Sequence, residues 1–180
     1  SIVYLLNLKV NEIDSDNFME LTCTVTSVKL DMTGGDQNIS YEFGTLIDSV
    51  KKEQFAEYES LGNNPFSVRI TKYGEITEVF RADKILSKYL DLRRLTDSVN
   101  AQEKTFLRED IINGLLKPIL NQVIRKMPEG SVAKDTAWSV TQPASKLMVF
   151  DVKSVTKFKV TNQEMMGDEK LAVIAADLNA

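Results

Sequence analysis

The stretch PFSVRITKYGEITEVF, from Pro65 to Phe80, decides the fold class. Apolar residues alternate with polar ones from Phe66 to Ile70, and an apolar pattern returns from Ile76 to Phe80, with a short loop around Gly74 between them. Such alternation on both sides of a glycine-containing loop is typical of a β-hairpin with one buried face. The sequence therefore predicts a hairpin over residues 66–80 whose buried face lies against another element.

That element is the helical region that follows, over residues 83–127. Two segments, 83–95 and 103–127, repeat apolar residues at the spacing of a helix. Pro118 lies inside the second segment and should kink it or split it in two. The apolar stripe of the second segment is wide and consists of Phe106, Ile111, Ile112, Leu115, Leu116, Ile119, Leu120, Val123, Ile124 and Met127. We therefore expect the 103–127 helix to cover the hairpin.

Strands are predicted on both sides of the helices, over residues 3–47 and 137–178, and a shorter helix over 50–61. The second set includes one strand over Lys146–Val152, and turns are predicted at Thr33–Asp36 and at Gly167–Asp168. In the second strand the apolar phase slips between Val25 and Val28, which predicts a β-bulge near Thr26. We therefore expect one α+β domain over residues 1–180, with a curved antiparallel sheet from two strand-rich halves packed on the central helical segment. The strand-like run stops abruptly near Ala180, which indicates truncation at the C-terminus.

Composition restricts the class of protein. The chain has 180 residues, 43% of them hydrophobic and 27% charged, as expected of an ordinary globular domain. The net charge of −4 argues against a nucleic-acid partner, which usually meets a basic face. No apolar run approaches the roughly 20 residues of a transmembrane helix.

The chain contains no histidine and one cysteine. These counts exclude a Ser-His-Asp triad, a Cys-His pair and the usual zinc ligand sets. Cys23 shares a strand face with Leu21 and Val25, so we expect it to be buried and unreactive. We therefore expect that the protein is not an enzyme, and that it binds no cofactor and no transition metal.

Two other features have both a functional and a structural interpretation. The run Asp14–Asn17 places oxygen ligands at alternating positions, as calcium loops do, but it lacks the later glycine and glutamate of an EF-hand. A polar turn between strands is the preferred interpretation. Trp138 is more typical of a core aromatic residue than of a ligand platform.

Several segments resemble one group of proteins. The run MPEGSVAKDTAWSV, Met127 to Val140, is similar through Pro128, Val132, Asp135 and Trp138 to a segment of exported Bacteroidetes proteins of unknown function. The runs FSVRITKYGEITEV, LIDSVKKEQF and MMGDEKLAVIAADL resemble their central hairpin, first helix and terminal hairpin. Many of these proteins are predicted lipoproteins. The resemblance implies the cell envelope, at the periplasm or the cell surface, with membrane association only through a lipid anchor outside this chain. It implies no catalytic residue.

The sequence is compatible with three functions. The first is an interaction or structural module that holds a protein partner through an exposed strand edge or sheet face. The alternative is a carrier for an apolar, lipid-like small molecule in a groove between sheet and helices, with Leu116, Leu120, Trp138 and Phe150 as candidate lining residues. A hydrolase that works with carboxylates or a Ser/Lys pair ranks last because histidine is absent.

Overall fold

A computed structural model describes residues 1–34, 37–45, 47–141, 145–147, 150–152 and 155–179. It confirms an α+β fold with antiparallel sheets and a central helical region. The chain divides into two compact units, Ser1–Arg125 and Lys126–Ala180, where the sequence led us to expect one domain. Each strand-rich half forms its own sheet.

The first unit contains a five-stranded antiparallel sheet. Strand β2 is the longest and lies in the middle, with β1 along one edge and both β3 and β4 along the other. The hairpin predicted over residues 66–80 is confirmed as β4 and β5. The strands are β1 Ile2–Ile13, β2 Met19–Gly34, β3 Gln37–Glu42, β4 Phe66–Ile70 and β5 Ile76–Phe80. The predicted turn between β2 and β3 includes residues 35 and 36, which lie outside the described residues.

Gly74 is required in the β4–β5 turn. Its φ of +77° lies in the left-handed region that favours glycine. A Cβ atom at this position would also lie 2.4 Å from the backbone oxygen of Arg125, at the end of the first unit. The turn therefore approaches the backbone beyond the last helix of this unit more closely than any other residue type permits.

The predicted β-bulge is confirmed at Thr26. Leu5 pairs with Ser27 and Leu6 pairs with Val25, so Thr26 is the extra residue of β2. Its hydroxyl donates a hydrogen bond of 3.2 Å to the carbonyl of Leu5. Because the bulge absorbs one residue, Val25 and Val28 both face the core and both are fully buried.

Helices cover the core face of this sheet. The predicted helix over 50–61 forms as two short helices, and the 83–127 region ends earlier than predicted, at Val123. Asn100 and Glu103 form a capping box at the start of the fourth helix. The helices are α1 Ser49–Gln54, α2 Ala56–Leu61, α3 Asp83–Leu92, α4 Ala101–Asp110 and α5 Lys117–Val123.

A π-helical segment, Ile111–Leu116, joins α4 to α5. The split expected at Pro118 therefore occurs, and the connection remains helical. Pro118 has no N–H to donate to the carbonyl four residues earlier. The wider π turn accommodates it, and the N–H of Lys117 bonds to Ile112, five residues back. Phe106 and Val123, expected on the apolar stripe, are instead exposed.

The core of the first unit is one hydrophobic cluster that joins sheet to helices. Leu116 and Leu120 are its most deeply buried members from the 103–127 region, and both are fully buried. Its fully buried sheet members are Cys23, Val25, Val28, Phe66 and Val68. The helical region therefore packs on the sheet that contains the opening hairpin.

The second unit contains a three-stranded sheet in the order β10-β9-β6 and a two-stranded pair, β7-β8. The terminal hairpin is confirmed, with Met166 paired to Glu169 across Gly167 and Asp168. The prediction of a single strand over Lys146–Val152 is wrong, because Leu147 pairs with Phe150. That run contains no glycine, proline or asparagine to indicate a turn. The strands are β6 Ala137–Thr141, β7 Ser145–Leu147, β8 Phe150–Val152, β9 Val155–Met166 and β10 Glu169–Asn179.

Candidate functional site

Strand β1 forms one edge of the first sheet. Among the described strands it pairs with β2 alone, along a ladder that runs from Ile2 to Ile13. In an antiparallel ladder, alternate residues direct their N–H and C=O groups away from the partner strand. The outer side of β1 therefore presents a row of backbone donors and acceptors that another strand can satisfy. We call this side of β1 the open edge.

The core face of β1 is apolar but uncovered beyond its first half. Leu8 pairs with Cys23, and Val10 pairs with Leu21. The two β2 residues are 0% and 7% exposed, whereas Leu8 is 36% and Val10 is 52% exposed. Ile13, which pairs with Met19, is also exposed. The apolar face of the sheet thus continues onto β1 without the cover that β2 receives.

The outer face of β1 also carries exposed apolar side chains. Val3 and Leu5 are 61% and 62% exposed. The strand has 12 residues, of which only Lys9 and Glu12 are charged. Natural edge strands are usually short or carry several charges, which prevents unwanted pairing. In its length and in the exposed apolar side chains on both faces, β1 therefore differs from most edge strands.

The other described edge strands are shorter or carry more charge. Strands β3, β5 and β6 have five or six residues each. Strand β10 of the second sheet is long, and its Leu171 and Val173 are exposed, but it carries three charged residues, Glu169, Lys170 and Asp177, where β1 carries two. Length and charge together therefore distinguish these edges from the open edge of β1.

The Asp14–Asn17 run beside β1 is a structural turn. The backbone N–H groups of Asp16 and Phe18 donate to Oδ1 of Asp14, while Arg69 pairs with its Oδ2. These partners, with the Phe18 N–H first, lower the pKa of the Asp14 carboxyl below its usual 3.8. Both oxygens of Asp14 therefore already have partners within the protein.

Cys23 lies on the core face of β2 and is fully buried, as predicted. Burial raises the pKa of its thiol to about 12. A thiol with this pKa contains almost no thiolate at neutral pH, and the thiolate is the reactive form. The geometry therefore gives Cys23 a packing role.

The residues predicted to line a groove are divided between the two units. Leu116 and Leu120 are fully buried core residues of the first unit and offer no surface to a ligand. Trp138, in the second unit, stacks on Phe158 at a centroid distance of 5.2 Å and donates from Nε1 to the Lys126 carbonyl. Phe150 lies in β8, and its side chain is outside the described part of the chain. The groove remains a prediction.

A cleft of about 430 Å³ lies between α3 and α4. Leu86 and Leu90 contribute apolar side chains to it, and Lys104 lies half-buried in its wall. At its rim Arg108 pairs with Asp83, so these two charges neutralise each other. The cleft is open to solvent and combines polar and apolar walls, and the pairing of Arg108 leaves it less suited to an anionic ligand.

Comparison with known proteins gives one match. Residues 16–167 match the model of a family of unknown function, DUF6263. The chain belongs to the DUF6263 family. Neither a curated protein nor a solved structure matches the chain. Within the described residues, no helix is both long enough and apolar enough to cross a membrane.

The DUF6263 match agrees with the expectation of an uncharacterised family, although it does not extend to the bacterial group or to lipoproteins. The matched segment begins in the turn after β1 and ends at Gly167. Strand β1 therefore lies outside the segment that matches the family model, and the open edge is described from the structure of this chain alone.

Sequence reasoning foresaw an exposed strand edge without saying which edge it was. The signal was present in IVYLLNL, where apolar residues occupy both faces of one strand. A strand apolar on both faces is usually either central in a sheet or open to a partner. Only the strand order identifies β1 as the second case.

Proposed function

We propose that this DUF6263 chain is a non-enzymatic interaction module of the cell envelope whose open edge binds an extended segment of a partner protein. The observation that supports this function is the combination found on β1: an outer edge that no described strand pairs, and exposed apolar side chains on both faces. The partner adds one strand to the sheet.

Strand addition supplies affinity and selectivity from different groups. The ladder of main-chain hydrogen bonds aligns the incoming segment, whatever its sequence. Alternate side chains then select it, since an apolar residue beside Leu8 or Val10 extends the apolar face of the sheet. Complete burial of one valine or leucine side chain contributes about 1.5–3 kcal/mol, which helps to offset the entropy lost on association.

The remaining parts of the proposal rest on the sequence. The absence of histidine and the buried position of Cys23 favour a function without catalysis. The resemblance of Met127–Val140 to exported proteins favours the periplasm or the cell surface. The alternative, a carrier for an apolar ligand, has less support because Leu116 and Leu120 expose no surface.

Binding of a short fluorescent peptide that alternates valine and threonine tests this function. The wild-type chain should raise the anisotropy of the peptide saturably. A Val3→Lys/Leu5→Lys variant should bind it at least about tenfold more weakly, because two lysines then flank the incoming strand. Val50→Lys is the matched control, since Val50 is highly exposed on α1 and takes no part in the β1–β2 ladder. Equal binding by all three proteins, or by none, would refute the open edge as the binding site.

A further inference from the structure

We propose that the partner at the open edge is β1 of a second copy of this chain, paired antiparallel about a twofold axis at Leu6. This inference rests on the proposed function and adds the identity of the partner. It follows from three properties of β1: the length of its regular segment, the match of its side chains when the strand meets itself, and the position of its single lysine.

The regular segment of β1 extends from Ile2 to Val10. One register shift in the β1–β2 ladder places its extra residue, Thr26, on β2, so β1 itself remains regular there. The second shift leaves Asn11 as an extra residue in β1 and interrupts the strand. An uninterrupted ladder therefore ends at Val10, and Leu6 is the centre of the regular segment. A twofold axis at Leu6 is the position that pairs every residue of this segment.

Pairing about Leu6 brings apolar side chains together on the core face. On the core face, Ile2 meets Val10 of the second copy, Tyr4 meets Leu8, and Leu6 meets itself. Each of these pairs is apolar, and Ile2, Val10 and Leu8 are exposed in the single chain. On the outer face, Leu5 meets Asn7. The apolar face of one sheet would thus continue into the sheet of the second copy.

The position of charge favours this register over those with an axis farther along β1. With the axis at Leu6, Lys9 lies opposite Val3, and its alkyl stem can cover that side chain. An axis at Lys9 would place two lysines face to face. An axis at Asn7 would place Glu12 opposite Ile2, and an axis at Leu8 would place it opposite Tyr4. The register at Leu6 therefore pairs no charge with a like charge and leaves Glu12 outside the ladder.

Sedimentation velocity of the intact chain, from low micromolar to near-millimolar concentration, tests the inference. The wild-type chain should sediment as a dimer at the higher concentrations. Val3→Lys places a lysine opposite Lys9 twice in each dimer and should weaken association by about tenfold. Combining Val3→Lys with Lys9→Glu should restore the dimer, since opposite charges then face each other. Val50→Lys, on helix α1, should leave association unchanged.

Folding is checked by circular dichroism for each variant, because Val3 also pairs with Lys29 of its own chain. A dimer that resists Val3→Lys, or that the added Lys9→Glu change fails to restore, would overturn this register. A wild-type chain that remains monomeric yet binds the valine–threonine peptide would overturn the second copy as partner and leave the proposed function standing. A monomer that binds no peptide would overturn both.

Discussion

Strands β1 and β2 are neighbours with similar sequence patterns and opposite surroundings. Both alternate apolar and polar residues, and their core-face residues pair one to one along the ladder. Yet Cys23 and Leu21 are buried, whereas their β1 partners Leu8 and Val10 are exposed. Among the described strands, β2 has neighbours on both edges, and β1 has a neighbour on one edge. The pattern determines which face of a strand is apolar, and the position in the sheet determines whether that face is covered.

This comparison separates two groups of residues in the first unit, those that stabilise the fold and those of the open edge. The residues of β2, together with Leu116 and Leu120, form the hydrophobic core that stabilises the fold. We expect the residues of β1 to contribute less to stability and, under the proposed function, more to association. Four measurements test this division and the turn between the two strands, in order of decreasing expected effect, and a fifth tests the open edge itself.

The largest effect is expected for a leucine of the helical region compared with a leucine of β1. Leu116→Ala or Leu120→Ala should destabilise the protein by about 2–5 kcal/mol, because each leaves a cavity in a closed core. Leu5→Ala is the matched change on β1 and should stay within about 0.5 kcal/mol, because Leu5 is mostly exposed. Urea denaturation at low protein concentration measures all three. Similar urea midpoints for the core and β1 variants would contradict the different contributions of the two regions to stability.

Thiol labelling compares the paired strands directly. In the native protein the Cys23 thiol should react at least about a hundredfold more slowly than a thiol introduced by Val10→Cys in a Cys23→Ala background. The reason is that a reagent reaches Cys23 only when the sheet opens locally, whereas Val10 is already exposed. A thiol-specific chromogenic reagent at neutral pH provides the rates. Equal rates at the two positions would contradict the burial of β2.

The sequence predicted the local features of the fold. Each of three features is determined by adjacent residues. Alternation of apolar and polar residues predicts the hairpin at residues 66–80, and a phase slip predicts the bulge at Thr26. The third is the turn at Gly167, where glycine adopts a positive φ. The division into two sheets was not predicted, because strand pairing between distant segments leaves no mark on either segment. The pairing of β7 with β8 was not predicted, because the sequence between them contains no residue typical of a turn.

For the candidate site, the sequence predicted the type of surface but not the strand that forms it. An exposed strand edge was among the sequence hypotheses, but the residues named in advance, such as Leu116 and Leu120, proved to be core. A wide apolar stripe looks the same in a sequence whether it lines a groove or fills a core. The exposure of Leu8 and Val10 depends on the absence of cover from the described part of the chain, which periodicity does not record.

Alkaline pH provides a third comparison of the two strands. Burial raises the pKa of Cys23 on β2 and of Tyr4 on β1 to about 12 each, from 9.0 and 10.0. Raised values in the folded state mean that stability is retained below pH 9.0 and lost as the pH rises toward 12. Urea midpoints should therefore fall above pH 9.0, and Cys23→Ala should reduce the early part of that fall. A midpoint that does not change with pH in this range would contradict the burial of these groups.

The smallest effect is expected at the turn between β1 and β2. The lowered pKa of Asp14 means that its contribution to stability is present above pH 3.8 and is lost as the pH falls below it. Asp14→Ala should therefore lower the melting temperature at neutral pH, and the difference from wild type should shrink in acid. Asp16→Ala is the control within the same turn. If the two variants behave alike, Asp14 does not organise the turn.

Amide hydrogen exchange along β1 tests most directly whether the open edge binds a strand. Dilute wild-type protein is measured with and without the valine–threonine peptide. The peptide should slow every second amide between Ile2 and Val10, because alternate N–H groups point away from β2 and gain a partner. Amides of β10, the charged edge strand, should be unchanged. Unchanged exchange on β1, or equal slowing on β1 and β10, would contradict the open edge as the site of association.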